Sequence, residues 1–333
     1  MGEGLEFDAI RRFLATASPP LPEEVTVGPG DDAAVLTGAD GDSLLLTVDR
    51  ITEGVHFQPD WVEMDDVGWR AMAASLSDVA AMAGEPLGVL VSLGVPAGDD
   101  GARAREGVRE GLAEASRAFG APFLGGDLTR SPAGVVLDVT AIGRARRPIT
   151  RDGGRPGHDL WVTGHLGGSG AAVASWNAGA TPPDEARRRF ARPRPRLEEA
   201  AWLAERGAPE ALLDLSDGLA GDAGHLAAAG ALAVVVDEAS LPVDPAAREA
   251  TSSLADARNL ALTGGEDFEL AFLAPGGRVD ELVEPFRRTF GLELTRVGWA
   301  EAGKGAWLRP ASGGTPVPLR GAGYDHFRAR EGA

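Results

Sequence analysis

The chain has 333 residues, long enough for two compact domains, each with its own apolar core. Its 44% hydrophobic and 25% charged content is that of a globular chain rather than a disordered one. With 50 acidic against 32 basic side chains the formal charge is -18, which argues against nucleic acid as the main partner; the absence of cysteine excludes disulfides, thiolate metal sites and cysteine nucleophiles.

In chain order, Glu6 to Ala15 reads as a short amphipathic helix that ends before Pro19 and Pro20. After the turn-rich GPGDD, residues 33–36 and 43–48 read as strands. Residues 65–82 form a predicted helix of small side chains, followed by a strand at 87–93, a helix at 103–119 and a strand at 133–142. The basic, glycine-rich stretch 144–157 suits a domain junction, dividing the chain into expected domains 1–148 and 149–333. A second alternating unit follows: a strand at 159–163, a helix after GHLGGSG, and a proline- and arginine-rich surface connection at 182–196. Further on come a helix at 219–229, strands at 231–237 and 268–273, a helix at 279–290 and a strand near 292–297. The alternation predicts two α/β or α+β domains.

The five histidines are scattered, with no HExxH pattern, which makes zinc a poor fit. No basic leader precedes a long apolar run, and the apolar stretch 71–95 is broken by Asp78, Glu85 and Pro86. A cytoplasmic chain without a membrane helix is expected.

Six aspartates at boundaries between apolar and glycine-rich stretches carry the chemistry. Asp32 lies in GPGDDAAVL, where glycine permits a tight turn, and Asp49 ends the apolar run LLLTV. Asp78 sits in the small-residue helix SLSDVAAMAG, where a buried unpaired carboxylate needs a cation, a donor or a wet cleft. Asp127 follows a glycine pair in GGDLTR, and Asp214 and Asp217 flank Ser216 in DLSDG. Each has a plainer reading as a solvated turn or helix cap; Asp217 or Ser216, for instance, could cap the next helix. GHLGGSG could offer a helix start to an anion, although no Walker pattern is present. Brought together, these carboxylates would make an oxygen cage suited to magnesium, and through it to a polyphosphate that aspartates alone would repel.

These motifs resemble the thiamine-monophosphate kinase family, within the superfamily of aminoimidazole ribonucleotide synthetase. GPGDDAAVL, TVDRITEGVHF, SLSDVAAMAG, GGDLTR, DLSDGLAGD, TGGEDFEL and the terminal GYDHF carry the resemblance, from residue 28 to 327. It implies ATP-dependent phosphorylation of thiamine monophosphate to thiamine diphosphate by direct transfer. It also implies several magnesium ions, held by Asp32, Thr47, Asp49, Asp78, Asp127, Asp214 and Asp217, with Asp49, Asp127 and Asp217 as the catalytic set. By the same resemblance Gly126, Asp127, Arg151 and Ser216 contact ATP phosphates or their metals, while His56, Glu266 and Tyr324 face the acceptor. The family fold is a two-domain one whose amino-terminal domains pair into a barrel-like core, so a homodimer is expected. An enzyme like aminoimidazole ribonucleotide synthetase and a non-turning-over ATP-binding regulator are the competing accounts. TGGEDFEL and GYDHF favour the thiamine reading over the first, and intact acidic motifs in both halves count against the second.

Overall fold

A computed structural model describes residues 9–10, 12–14, 20–38 and 41–319. Its amino-terminal sheet has six strands in the order β1-β2-β3-β6-β4-β5. They are β1 (Val25–Val27), β2 (Ala34–Thr37), β3 (Ser43–Thr52), β4 (Glu85–Val95), β5 (Phe123–Arg130) and β6 (Val136–Ala145). Strand β3 shows why one face is covered. Leu45 and Ile51 are 0% and 4% exposed, whereas Val48, pointing the other way, is 62% exposed. Helices α1 (Met64–Ala81) and α2 (Asp99–Phe119) cover the buried face; among the described residues the other face stays open, as do edge strands β1 and β5.

Helix α1 is buried on most sides, which its alanines and serines allow by keeping its girth small. It crosses α2 at very short range. A Cβ placed on Gly111 of α2 would lie 1.7 Å from the Asp65 carbonyl oxygen, and one on Gly68 would lie 2.3 Å from that of Val108.

The second sheet has seven strands in the order β13-β12-β9-β11-β7-β10-β8. They are β7 (His158–Thr163), β8 (Ala211–Asp214), β9 (Leu232–Asp237), β10 (Leu270–Pro275), β11 (Leu294–Ala302), β12 (Gly305–Arg309) and β13 (Val317–Pro318). The helices of this half are α3 (Gly168–Asn177), α4 (Asp184–Ala191), α5 (Leu197–Glu205), α6 (Leu219–Gly230), α7 (Pro245–Ala250), α8 (Leu254–Thr263) and α9 (Val283–Phe290). Most ladders in both sheets are antiparallel, so the α+β branch of the sequence expectation is the one observed.

Three local readings change. GGDLTR, assigned no element from the sequence, is strand β5, paired in parallel with β4. Glycine at 126 lets the two backbones meet, since a Cβ there would lie 2.0 Å from the Val91 carbonyl oxygen. The 182–196 stretch is not simply a surface connection. It contains α4 and then a strap in which Arg192 reaches Asp65, Asp66 and Glu114, each at 2.6 Å. Farther along the strap the buried Arg196 forks onto buried Glu269, with Nε 2.7 Å from Oε2. GHLGGSG does precede a helix, but the anion at that helix start is the chain's own. The Gly167 and Ser169 amides donate to the Asp267 carboxylate at 2.7 and 3.3 Å.

Candidate active site

Three segments far apart in sequence deliver the centre of the site. Asp32 comes from the turn before β2, Asp78 from the last third of α1, and Asp214 from the end of β8. One carboxylate oxygen from each lies within 4.8 Å of the others. Asp32 and Asp214 are buried, at 7% and 3% exposure. Thr47 on β3 donates its hydroxyl to Asp78 Oδ2 at 2.5 Å. Asp49 is on the same covered face of β3, two residues along.

So much buried negative charge in one place disfavours ionisation. Burial, then Asp32 and Glu266, raise the Asp49 carboxyl to about 6. Burial and then Asp32 lift Asp214 to about 8, against a hydrogen bond from Ser77. Burial, followed by Asp49, Asp214 and Asp32, holds Asp78 well above the usual carboxylate range. Asp31, which the sequence reading passed over, is raised to about 6 by burial and Asp32.

Arg151 is the cation that faces this cluster. Its guanidinium forks onto Asp32, with Nε 3.0 Å from Oδ2, and its backbone amide donates to Asp31 Oδ2 at 3.1 Å. Burial opposes its charge, but Asp32 more than restores it and keeps Arg151 protonated. One guanidinium cannot balance the five carboxylates of Asp31, Asp32, Asp49, Asp78 and Asp214. The donor set, all oxygen and partly buried, suits a hard divalent ion such as magnesium.

Beside the cluster, where Glu266 acts on Asp49, two loops are fastened together. The Glu266 amide donates to the Ser216 carbonyl at 2.8 Å, and the Phe268 amide to that of Leu215 at 3.0 Å. Glu266 and Phe268 both have left-handed backbones, with φ of 65° and 49°. Each such residue costs on the order of 1–3 kcal/mol, tolerated where the surroundings fix the conformation. The Glu266 carboxylate pairs with Arg70, a fully buried residue of α1 two turns before Asp78. Arg70 also donates to the Phe190 carbonyl at 2.5 Å and lies 3.8 Å above the Phe190 ring.

His56 lies in the turn after β3, where its Nδ1 accepts from the Thr52 amide at 3.1 Å, leaving Nε2 as the ring's other polar atom. Asp217 is 31% exposed and lies 3.6 Å from His225. Tyr324 lies outside the described residues.

Asp127 and Gly126 stand apart from the cluster. Gly126 is in register with Val91, Val139 and Asp49; Asp127 is in the next row, with Ser92, Asp138 and Arg50. Three strand spacings separate β5 from β3, about 14 Å. The Asp127 row is also on the open face of the sheet, where Arg50 bonds Asp138 at 2.7 Å. Asp49 and Asp127 therefore do not share one ion within a chain.

Sequence reasoning missed Asp31, Arg70, Asp222 and the Ser75 and Ser77 hydroxyls. Arg70 carried a signal, being a charge inside an otherwise apolar and small-residue helix.

The family model for the AIR synthase related protein, N-terminal domain, matches residues 30–145, and that for the C-terminal domain matches residues 155–308. Thiamine-monophosphate kinase of Rhodopirellula baltica is 34% identical over 309 residues, covering 90% of this chain and 91% of the relative. The crystal structure of thiamine-monophosphate kinase from Stenotrophomonas maltophilia is 33% identical, with a TM-score of 0.74 over 90% of this chain and 94% of the other. A structure of AaThiL complexed with AMPPCP and TMP is 27% identical, with a TM-score of 0.77 over 91% of each chain. Matched over nine-tenths of its length at 34% identity, and carrying both family-model domains, the chain belongs to the thiamine-monophosphate kinase family.

Proposed function

We propose that the protein transfers the terminal phosphoryl group of ATP to thiamine monophosphate, giving thiamine diphosphate and ADP. The observation that carries this reading is the meeting of Asp32, Asp78 and Asp214 beside Arg151, next to the loop that holds Glu266, in a chain of this family. Magnesium, when bound, would neutralise phosphate charge and align the transferred group. Asp32, Thr47, Asp49, Asp78 and Asp214 would hold it, and Asp217 would hold a separate ion at the rim. Arg151 and Ser216 contact ATP phosphates, and Arg151 holds the Asp32 carboxylate in place.

His56 supports the acceptor phosphate. Glu266, kept in place by Arg70, faces the cationic heterocycle, and the family resemblance assigns Tyr324 to the same acceptor. A phosphate monoester has a second pKa of about 6, so the acceptor needs little deprotonation near neutral pH. Charge neutralisation and in-line placement then dominate, and no covalent enzyme intermediate is required. On this reading Gly126 and Asp127 act at a different ion from the Asp32, Asp78 and Asp214 set, because about 14 Å separates β5 from β3.

Residues 1–148 form the dimerising, metal-binding domain and residues 149–333 complete the nucleotide and acceptor sites. A homodimer is supported by the open sheet face, where Leu44, Val48 and Leu90 are 38%, 62% and 39% exposed, and by Phe123 and Leu124 on edge strand β5. Among the described residues no helix is long and apolar enough to cross a membrane, in keeping with a cytoplasmic enzyme.

The test is product analysis after incubation with MgATP and thiamine monophosphate. Thiamine diphosphate and ADP should form in equal amounts, and neither should form once divalent ions are removed. ADP release without thiamine diphosphate would defeat the acceptor assignment.

A further inference from the structure

We propose that Asp217, Asp222 and His225 form a second divalent-cation site, with a mixed nitrogen and oxygen donor set that takes manganese or a similar transition ion in preference to magnesium. Helix α6 starts after Gly218, and Asp222 and His225 are three residues apart on one of its faces. Asp217 sits just before the helix. One oxygen of each carboxylate and one ring nitrogen of His225 all lie within 4.8 Å of one another. His225 Nε2 and Asp217 Oδ2 are 3.6 Å apart, too long for a hydrogen bond. It is close to the separation of about 3.0–3.4 Å between adjacent donors around an ion held at about 2.1 Å.

A second observation points the same way. Asp222 is 2% exposed, and its Oδ2 atom is buried with no hydrogen-bond partner. Buried polar atoms in folded proteins nearly always have one, and a bound ion would supply it. The guanidinium that influences Asp222, that of Arg151, is bonded to Asp32 instead. Asp217 keeps 31% of its side chain exposed, which leaves an ion a route from solvent.

The donor set separates this site from the acidic cluster. Asp32, Asp78 and Asp214 offer only oxygen, as magnesium prefers, whereas an imidazole shifts preference toward manganese, cobalt or zinc. A carboxylate and a histidine at i and i+3 of one helix is also how di-metal helical proteins present their ligands. The site stands whatever the phosphoryl acceptor is, since it can be loaded without nucleotide.

Crystals of the full chain soaked in manganese chloride alone should show an anomalous peak between Asp217, Asp222 and His225. Pulsed electron paramagnetic resonance of the manganese-loaded protein should show imidazole nitrogen coupling. His225→Gln should abolish that coupling and weaken manganese binding at this site roughly a hundredfold. Anomalous density confined to the Asp32, Asp78 and Asp214 cluster would overturn the proposal, and so would nitrogen coupling that survives in His225→Gln. Equal competition by magnesium for the anomalous site would overturn its metal preference. If His225→Gln does not fold, the wild-type anomalous map decides alone.

Discussion

Arg70 carries two jobs with one side chain, an ion pair to Glu266 and a hydrogen bond to the Phe190 carbonyl. A lysine has charge but no planar fork, so it cannot satisfy both at once. Arg70→Lys should raise KM for thiamine monophosphate roughly tenfold, the equivalent of about 1.4 kcal/mol, and leave KM for ATP near the wild-type value. Equal changes in both constants would show that Arg70 supports the fold generally rather than the acceptor loop. Asp267 gives a pH test. Burial pushes its carboxyl up to about 8, despite the two amides at the start of α3. A folded-state value above the unfolded one means that the native state binds this proton more tightly. The group's contribution to stability is therefore full below about pH 4 and is lost as pH rises toward 8. Denaturant unfolding of Asp267→Asn at pH 5 and pH 8 should show a smaller loss across that interval than the wild type. A steeper loss would count against this assignment.

Elements with clear alternation or a solid run of small residues were legible in the sequence. Strand β3 and helix α1 lie within a few residues of their predicted bounds because their patterns follow from burial on one or on most sides. Strand β5 was not legible. Two glycines and an aspartate give no strand pattern, and the reason for Gly126, close approach to Val91, exists only once β4 is alongside. The strap after α4 misled for a related reason. Arginine and proline suggest solvent, but the partners of Arg192 and Arg196 lie 73 to 127 positions away in sequence. The α1–α2 crossing yields its own test. Gly111→Ala would force the two helices apart, because its methyl would fall on the Asp65 carbonyl. Overpacking of this kind costs about 1–3 kcal/mol or more. A melting temperature within a degree of wild type would show that the crossing relaxes freely.

For the molecule as a whole, the chemistry of the acidic residues was legible but their grouping was not. Asp32, Asp78 and Asp214 do converge, whereas Asp127 lies on the far side of the sheet, a distinction that depends on strand order. The open face also sets a prediction at this scale. Leu90→Glu places a charge at its centre, in register with Thr140 and Val48, and should convert a dimer to monomer in sedimentation velocity. An unchanged sedimentation coefficient would move the interface elsewhere. The backbone bonds from Glu266 to Ser216 and from Phe268 to Leu215 reach furthest into how such enzymes can diverge. They make two stretches fifty residues apart a single inheritable module. A chimera that imports a new Glu266 loop without its matching Ser216 loop would break the seam between them, so new substrate ranges should arise by exchange of both stretches together.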